Sequence, residues 1–329
     1  MTRGFTHVDG DQRIVFGPDA LDAAAELVPD GYALLTTARA SRSAPAFAER
    51  AAVVVEVPAG AVDVVAAGLR DAHGGRRLVA LGGGRVVDVA KALAAADGLP
   101  GPVAVPTSLS GAEMTGVHRH ARGVPADTPR SRASLVLNAP SLSASQPTED
   151  LAASSGNALG HAVTAASSPR SGPLARAVAR EAIDHLGRAW SGEEPDRDEV
   201  ALGALLAGWS VDRSGLGVHH ALAQTAVRTA ELSHAGTNVA LLPHTVRALR
   251  ERLPREVEAA GAALPGTVED LAGDLHRRAG SPGLGALASD DALLDEAVAT
   301  AAGRAELQDV PSPLTADDVR ELYLRAARG

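Results

Sequence analysis

The chain has 329 residues, 45% of them hydrophobic, which is enough for two buried cores and excludes a disordered protein. The formal net charge is −9 and no stretch is rich in lysine or arginine, so we expect neither nucleic acid nor a membrane surface as partner. There is no cysteine, which excludes disulfides, thiolate nucleophiles and cysteine-ligated metals. We recognise no signal peptide and no apolar run of about 18 residues, so we expect a cytoplasmic protein.

The first 140 residues alternate short β-rich runs with alanine-rich amphipathic stretches. Helices are predicted over ALDAAAELV (20–28) and AVDVVAAGLRDA (61–72). Apolar strands separated by helices are typical of a parallel sheet that is covered on both faces. The predicted strands are RIVFG (13–17), YALLTT (32–37), AVVVEV (52–57), RLVAL (77–81), VAVP (103–106) and SLVLN (134–138).

After Pro140 the pattern becomes helical, and no strand is predicted. Thr148 and Thr315 precede acidic residues and are predicted helix N-caps, whereas the segment 119–134 is predicted to be an irregular loop. We therefore predict an α/β domain over residues 1–145 and an all-helical domain over 146–329. The predicted helices cover residues 148–166, 172–190, 198–215, 238–253, 267–280 and 315–328.

A glycine-rich turn lies in RLVALGGGRVVDVAKALAAA (77–96), between a predicted strand and a predicted helix. The glycines allow an anion to approach the backbone, and the helix N-terminus favours a pyrophosphate there. A tight turn also needs glycine, so the pattern alone is weak evidence. Asp88 and Lys91 lie one helical turn apart, where they either face a ligand or form a surface ion pair.

A second polar loop follows the strand at VAVPTSLSGAEMT (103–115). Thr107, Ser108 and Ser110 offer hydroxyl groups near the carboxyl end of the strand, where open α/β sheets bind their ligands. The alternative is a capped turn that starts another helix, with Glu113 in its first turn.

Three of the eleven histidines are candidates for one site. His161 shares a helix face with Asn157, His220 precedes Gln224 by one turn, and His234 follows after a break. Converging imidazoles can bind a metal, donate protons or polarise a carbonyl. A lone helical histidine is also compatible with a purely structural role.

Four motifs occur together in one order: ALGGGRVVDVAKALA, VPTSLSGAEMT, SGNALGHAV and LGVHHALAQTAVRTAELSHAGTNVALLPH. In order and spacing they resemble the iron-dependent alcohol dehydrogenase superfamily, with its dehydroquinate synthase-like fold, and within it most closely the maleylacetate reductases. The resemblance implies an N-terminal dinucleotide-binding α/β domain, an all-helical C-terminal domain, an active-site cleft between them and a homodimer. It also implies NADH or NADPH bound by Gly83, Gly84, Asp88, Thr107 and Ser108.

The resemblance also bears on a metal. Metal-dependent members hold Fe²⁺ or Zn²⁺ with one aspartate and three histidines, and the matching positions here are Asn157, His161, His220 and His234. Maleylacetate reductases carry the asparagine and are thought to work without a metal. An amide is a weak ligand for a divalent ion, so we expect none. If a metal is bound, the three histidines would be its ligands.

The sequence departs from the family pattern at several positions. Arg85 replaces the usual serine after the glycines, where it either meets a cofactor phosphate or blocks the pyrophosphate, and Gln224 replaces a histidine. YALLTT ends without an acidic residue, which leaves NADH and NADPH both open.

The function implied is an NAD(P)H-dependent reductase that transfers hydride to an activated C=C or C=O of a small carboxylated substrate. His161, His220 and His234, with Asn157, would bind the oxygen where charge develops, and one histidine would donate a proton. Arginines would bind substrate carboxylates, with Arg119, Arg122 or Arg228 as candidates. The alternatives are a metal-dependent alcohol or aldehyde oxidoreductase, and a non-redox enzyme or binding protein on the same scaffold.

Overall fold

The computed structural model describes residues 4–328, and the chain divides into two compact units between Ser145 and Gln146. Across residues 4–328 no helix has both the length and the apolar character that crossing a bilayer requires. The fold prediction is confirmed, with one α/β unit and one helical unit.

The first unit is built on one seven-stranded sheet. All six predicted strands are present, and they run parallel to one another. An additional edge strand pairs antiparallel with the first of them through a turn at Gly10, which has a φ of 63°. The strands are β1 (Phe5–Asp9), β2 (Gln12–Phe16), β3 (Ala33–Thr36), β4 (Val53–Glu56), β5 (Leu78–Gly82), β6 (Val103–Pro106) and β7 (Leu135–Asn138), in the spatial order β1-β2-β7-β6-β5-β3-β4.

Burial explains which strands could be predicted from the sequence. Every residue of β3, β5, β6 and β7 is buried, so each of these strands is an unbroken apolar run. The edge strand β1 is almost wholly exposed, and its polar sequence gives no such signal. Helices of this unit are α1 (Ala23–Leu27), α2 (Ala38–Ser43), α3 (Ala46–Glu49), α4 (Val62–Gly68), α5 (Gly84–Asp97) and α6 (Pro140–Ser143), of which α2, α3 and α6 are not predicted from the sequence.

The second unit is helical, and no strand occurs in residues 146–328. Its central helix is α7, in which 16 residues are buried, so it is covered on nearly every side by other helices. The helices are α7 (Thr148–Ser167), α8 (Pro173–Ala189), α9 (Arg197–Ser214), α10 (Val218–Ala230), α11 (His234–Arg252), α12 (Pro254–Ala260), α13 (Val268–Ala279), α14 (Gly285–Ala288), α15 (Asp291–Ala302) and α16 (Ala316–Arg328).

One of the two predicted caps is wrong. The Thr315 hydroxyl accepts from the amide of Asp318 at 3.2 Å, and Asp318 accepts from the amide of Thr315 at 2.8 Å, which confirms that cap. Thr148 instead is the first residue of α7, after Pro147, and makes no capping bond. Glu149 and Asp150 in the first turn offset the helix dipole there without a cap.

Candidate active site

The glycine-rich turn joins β5 to α5, with Gly83 at the N-cap and Gly84 as the first helical residue. A Cβ atom on Gly83 would lie 3.2 Å from Ser108 Oγ, and one on Gly84 would lie 2.7 Å from Ser110 Oγ. The Thr107 amide donates to the carbonyl of Gly82 at 3.0 Å. The glycines are therefore needed because the loop that follows β6 packs directly against the turn.

This turn has the character of an anion site. The first turn of α5 contains no acidic residue, and Arg85 is exposed within it. The free amides of the helix N-terminus, its partial positive charge and the guanidinium group all favour a phosphate. Gly83, Gly84, Arg85, Thr107 and Ser108 thus lie around one end of α5.

The ion pair between Lys91 and Asp88 is present, but its expected place at the surface is wrong, because Lys91 is fully buried. Its Nζ donates to the carbonyls of Ala112, Thr115 and Val117 at 2.8, 3.0 and 2.9 Å, and lies 2.8 Å from Asp88 Oδ1. An ammonium group has three hydrogens, and the three carbonyls take them all. Asp88, whose side chain is 29% exposed, therefore receives charge compensation rather than a hydrogen bond.

The alternative prediction for this loop, a helix with Glu113 in its first turn, is wrong. The contacts of Lys91 explain why no helix starts there. Lys91 occupies carbonyls that helical amides would otherwise use, and the next strand or helix is β7. Glu113 is buried, and burial raises the pKa of its carboxyl group to about 7 although Lys91 opposes the shift. The buried amide of Gln12 donates to the main-chain carbonyl of Glu113 at 3.1 Å.

A cluster of buried imidazoles forms between α7 and α10. The rings of His161 and His220 stack with centroids 4.3 Å apart and an interplanar angle of 18°. His220 Nε2 donates to Asn157 Oδ1 at 3.3 Å. The structure thus brings together three of the four residues that the sequence predicts for this site, and all three are buried.

A third histidine, His219, belongs to the cluster and was not predicted. Its ring meets His220 edge-on at 5.0 Å, and its Nδ1 donates to Thr245 Oγ1 at 2.9 Å. The close approach depends on Gly160 of α7, where a Cβ atom would lie 2.6 Å from His219 Cδ2. Two features of the sequence could have indicated His219: the histidine doublet in VHH and the glycine directly before His161.

His234 lies at the margin of this cluster. It is the exposed first residue of α11, and its charged form lowers the pKa of His161, His219 and His220. Asn238 Nδ2 donates to the main-chain carbonyl of His234 at 2.7 Å, which fixes the backbone there.

The clustered imidazoles are neutral at pH 7. Burial, reinforced by mutual repulsion, lowers the pKa of His161 to about 3, and burial lowers that of His219 to about 4. The same causes hold the pKa of His220 well below its usual value. His161 Nδ1, His219 Nε2 and His220 Nδ1 are buried without a hydrogen-bond partner among residues 4–328. Such atoms are suited to receive a polar ligand.

The orientation of the imidazole rings bears on whether the cluster could hold a divalent metal ion. No group of three or more histidine or acidic side chains within residues 4–328 is placed to hold one. Imidazole lone pairs lie in the ring plane, so the nearly parallel rings of His161 and His220 direct them side by side rather than towards one point. Asn157 adds no negative charge.

The candidate carboxylate-binding arginines have different surroundings. Arg119 and Arg122 lie 3.4 and 3.6 Å from the carboxylate of Asp63, which each of them partly neutralises. Arg228 lies in the last turn of α10, about two helical turns beyond His220.

Comparison with known proteins agrees with the fold. Residues 151–327 match the C-terminal domain model of the Fe-containing alcohol dehydrogenase family. The chain belongs to this family. It is 31% identical over 287 residues to the maleylacetate reductase of Sphingobium indicum, which covers 84% of this chain and 80% of that protein.

Solved structures give the same result. The crystal structure of maleylacetate reductase from Rhizobium sp. strain MTP-10005 superposes with a TM-score of 0.81 at 25% identity, covering 100% of this chain and 99% of that one. A sulfoacetaldehyde reductase from Bifidobacterium kashiwanohense, in complex with NAD⁺, shares the fold with a TM-score of 0.78 at 20% identity, over 98% of this chain and 99% of that one. The chain is therefore an oxidoreductase, of a family that uses NAD(P)H.

Proposed function

We propose that the protein is an NAD(P)H-dependent reductase similar to maleylacetate reductase, which reduces an activated C=C or C=O of a small carboxylated substrate without a metal. The observation that carries the proposal is the hydrogen bond from His220 to Asn157 beside the stacked ring of His161. An amide in this position accepts the one N–H of neutral His220 and is a weak metal ligand, so His161 stays available as a neutral hydrogen-bond donor.

The cofactor would be held by the α/β unit. The backbone amides at Gly83 and Gly84 and the guanidinium group of Arg85 suit the pyrophosphate. Thr107 and Ser108 offer further donors at the neighbouring strand end, and Asp88 offers a carboxylate beside Lys91. When bound, the nicotinamide supplies the hydride.

The histidines would act on the substrate oxygen. Negative charge develops on that oxygen as hydride reaches carbon, and neutral imidazole N–H groups in a dry site stabilise it strongly. As the charge grows, it raises the pKa of the nearest imidazole, so that His161, His220 or His234 would take up a proton from solvent and pass it to the product. Arg119, Arg122 or Arg228 would bind the carboxylates of the substrate.

Metal independence is tested by restoring the acidic ligand. We expect the wild-type protein to contain no stoichiometric metal and to keep its activity after dialysis against a chelator. Asn157→Asp should gain affinity for Zn²⁺ because it adds the missing carboxylate, and Asn157→Ser is the matched control. Stoichiometric zinc or iron in the wild type, with activity lost on chelation, would favour the metal-dependent alcohol or aldehyde oxidoreductase.

We also propose a homodimer, and the exposed edge strand β1 supports it. Phe5 and Val8 are 36% and 64% exposed on this strand, and no strand within residues 4–328 pairs with its outer edge. Light scattering after size exclusion measures the mass directly. A monomer at micromolar concentration would contradict this part of the proposal. The cytoplasmic location expected from the sequence stays a prediction.

The reductase itself is tested by cofactor fluorescence and by NAD(P)H oxidation with maleylacetate, enones and aldehydes. We expect binding of a reduced nicotinamide cofactor and its oxidation by at least one carboxylated substrate. His161→Gln should lose most of the turnover and keep cofactor binding, because its role concerns the substrate. Absence of both cofactor binding and oxidation would contradict the proposal and favour a non-redox role.

A further inference from the structure

The end of β3 lies directly beside the glycine-rich turn. Thr36, the last residue of β3, is in register with Leu81 of β5, and its Oγ1 donates to the Leu81 carbonyl at 2.9 Å. Neighbouring strands are about 4.8 Å apart, so the chain leaving β3 passes one strand away from Gly82 and Gly83. In sheets of this type, a dinucleotide with its pyrophosphate at the glycine turn places the adenosine ribose at the end of the adjacent strand.

The chemistry at this strand end is basic. Thr37, where an acidic residue would read a ribose 2′-hydroxyl, uses its side chain to accept from the Ala40 amide at 3.3 Å and so caps α2. Arg39 and Arg42 follow, three residues apart on α2 and therefore on one face. An arginine here is the side chain that accommodates a 2′-phosphate.

The side chains of both arginines are open to solvent. Arg39 and Arg42 are exposed, and neither forms an ion pair with a carboxylate of residues 4–328. Arg50, shortly after α3, shows the contrast, because it pairs with Asp30 at 2.5 Å and donates to the Ala24 carbonyl at 3.0 Å. Arg50 thus supports the fold, whereas the two guanidinium groups on α2 are available to a ligand.

One carboxylate lies at the same edge. Glu56 ends β4 in register with Thr36 and is exposed. It lies one strand farther from the glycine turn than β3 does, because β3 separates β4 from β5. The two guanidinium groups outnumber this single carboxylate, so the edge favours an added phosphate dianion over a bare hydroxyl.

We propose that Arg39 and Arg42 bind the 2′-phosphate of NADPH and make the enzyme prefer NADPH to NADH. This inference rests on the nicotinamide-dependent function proposed above. The two arginines act on cofactor selection alone, whereas Arg85 at the pyrophosphate contributes to both cofactors equally.

Dissociation constants for NADPH and NADH, measured by fluorescence titration, test the assignment. We expect the wild type to bind NADPH about tenfold or more tightly than NADH, a ratio typical of charge-assisted hydrogen bonds. Arg39→Ala and Arg42→Ala should each weaken NADPH binding by about tenfold and change NADH binding less than about twofold. Arg77→Ala is the matched control. This exposed arginine lies just before the amino end of β5, away from the carboxyl ends of the strands where the cofactor would bind.

A second measurement does not involve the nicotinamide. It compares how strongly adenosine 2′,5′-bisphosphate and 5′-AMP each displace bound NADPH. The bisphosphate should compete more strongly in the wild type and lose that advantage in the Arg39→Ala/Arg42→Ala double variant. Equal wild-type affinities for NADPH and NADH, or equal losses for both in the double variant, would overturn the inference and leave the reductase standing. Failure to bind either cofactor would overturn the proposed function and this inference together.

Discussion

Replacing Gly160 by alanine tests how the histidine cluster is packed. The added Cβ atom would lie 2.6 Å from His219 Cδ2, 2.9 Å from His219 Nε2 and 3.3 Å from His220 Cε1. The first distance is about 0.8 Å shorter than the 3.4 Å at which ordinary van der Waals contact begins, so the His219 ring must move. The ring is held between α7 and Thr245, and its movement also displaces His220.

Two opposing terms decide the stability of this variant. Alanine improves helix propensity by about 1 kcal/mol, whereas overpacking a dense core costs about 1–3 kcal/mol. We expect a net destabilisation of about 0–2 kcal/mol in urea unfolding. The effect on catalysis is larger, because a shift approaching 1 Å in an active site can cost about a hundredfold in rate. We therefore expect kcat/KM to fall by about tenfold to a hundredfold.

A control variant separates packing from helix propensity. Gly273 lies in α13, where an added Cβ atom would meet only Arg277 Nη1 at 3.5 Å, so Gly273→Ala should stabilise the protein slightly and leave activity intact. Combining Gly160→Ala with His219→Ala should cost less than the sum of the two single changes, because the smaller side chain leaves room. Full activity and raised stability in Gly160→Ala would refute this account of the cluster.

Three further changes test other parts of the structure. Lys91→Met should lower the free energy of unfolding by about 3 kcal/mol or more, measured by urea titration, because it leaves three carbonyls without their donor; an unchanged midpoint would show that Lys91 does not hold the loop. Glu113 has a folded-state pKa of about 7 against an ordinary 4.5, so it binds more protons in the folded state, and its stabilising contribution is lost as pH rises from 4.5 to 7. Glu113→Gln should remove that part of the pH dependence of unfolding, and an identical pH profile would contradict the shift. Arg85→Ala should weaken NADH and NADPH binding by a similar factor; tighter binding would show that Arg85 blocks the phosphates instead.

The parts of the fold that could be predicted from the sequence are those where local pattern and burial agree. Strands buried on both faces give unbroken apolar runs, and long helices give a clear 3.6-residue period. The strand β1 was missed because its exposed residues carry no periodic signal, although Gly10-Asp11 is a hairpin turn signal. Thr148 failed as a cap because the helix begins one residue earlier than the pattern indicates.

The candidate site shows where tertiary contacts override local pattern. The segment around Glu113 has the composition of a helix start, but the ammonium group of Lys91, far away in sequence, takes its carbonyls. His219 has the same local sequence context as His220. Only the close approach of α7 at Gly160 shows that both rings belong to one cluster.

The central claim is that this chain passes hydride from a reduced nicotinamide to a small carboxylated substrate. Incubating the chelator-treated protein with NADPH that carries deuterium at both C4 positions and with maleylacetate, followed by mass spectrometry of the product, measures that transfer directly. We expect a reduced product one mass unit heavier than the product formed with unlabelled cofactor, with oxidised cofactor formed in equal amount. Absence of reduced product with both deuterated NADPH and deuterated NADH, or its formation without the label, would contradict the account.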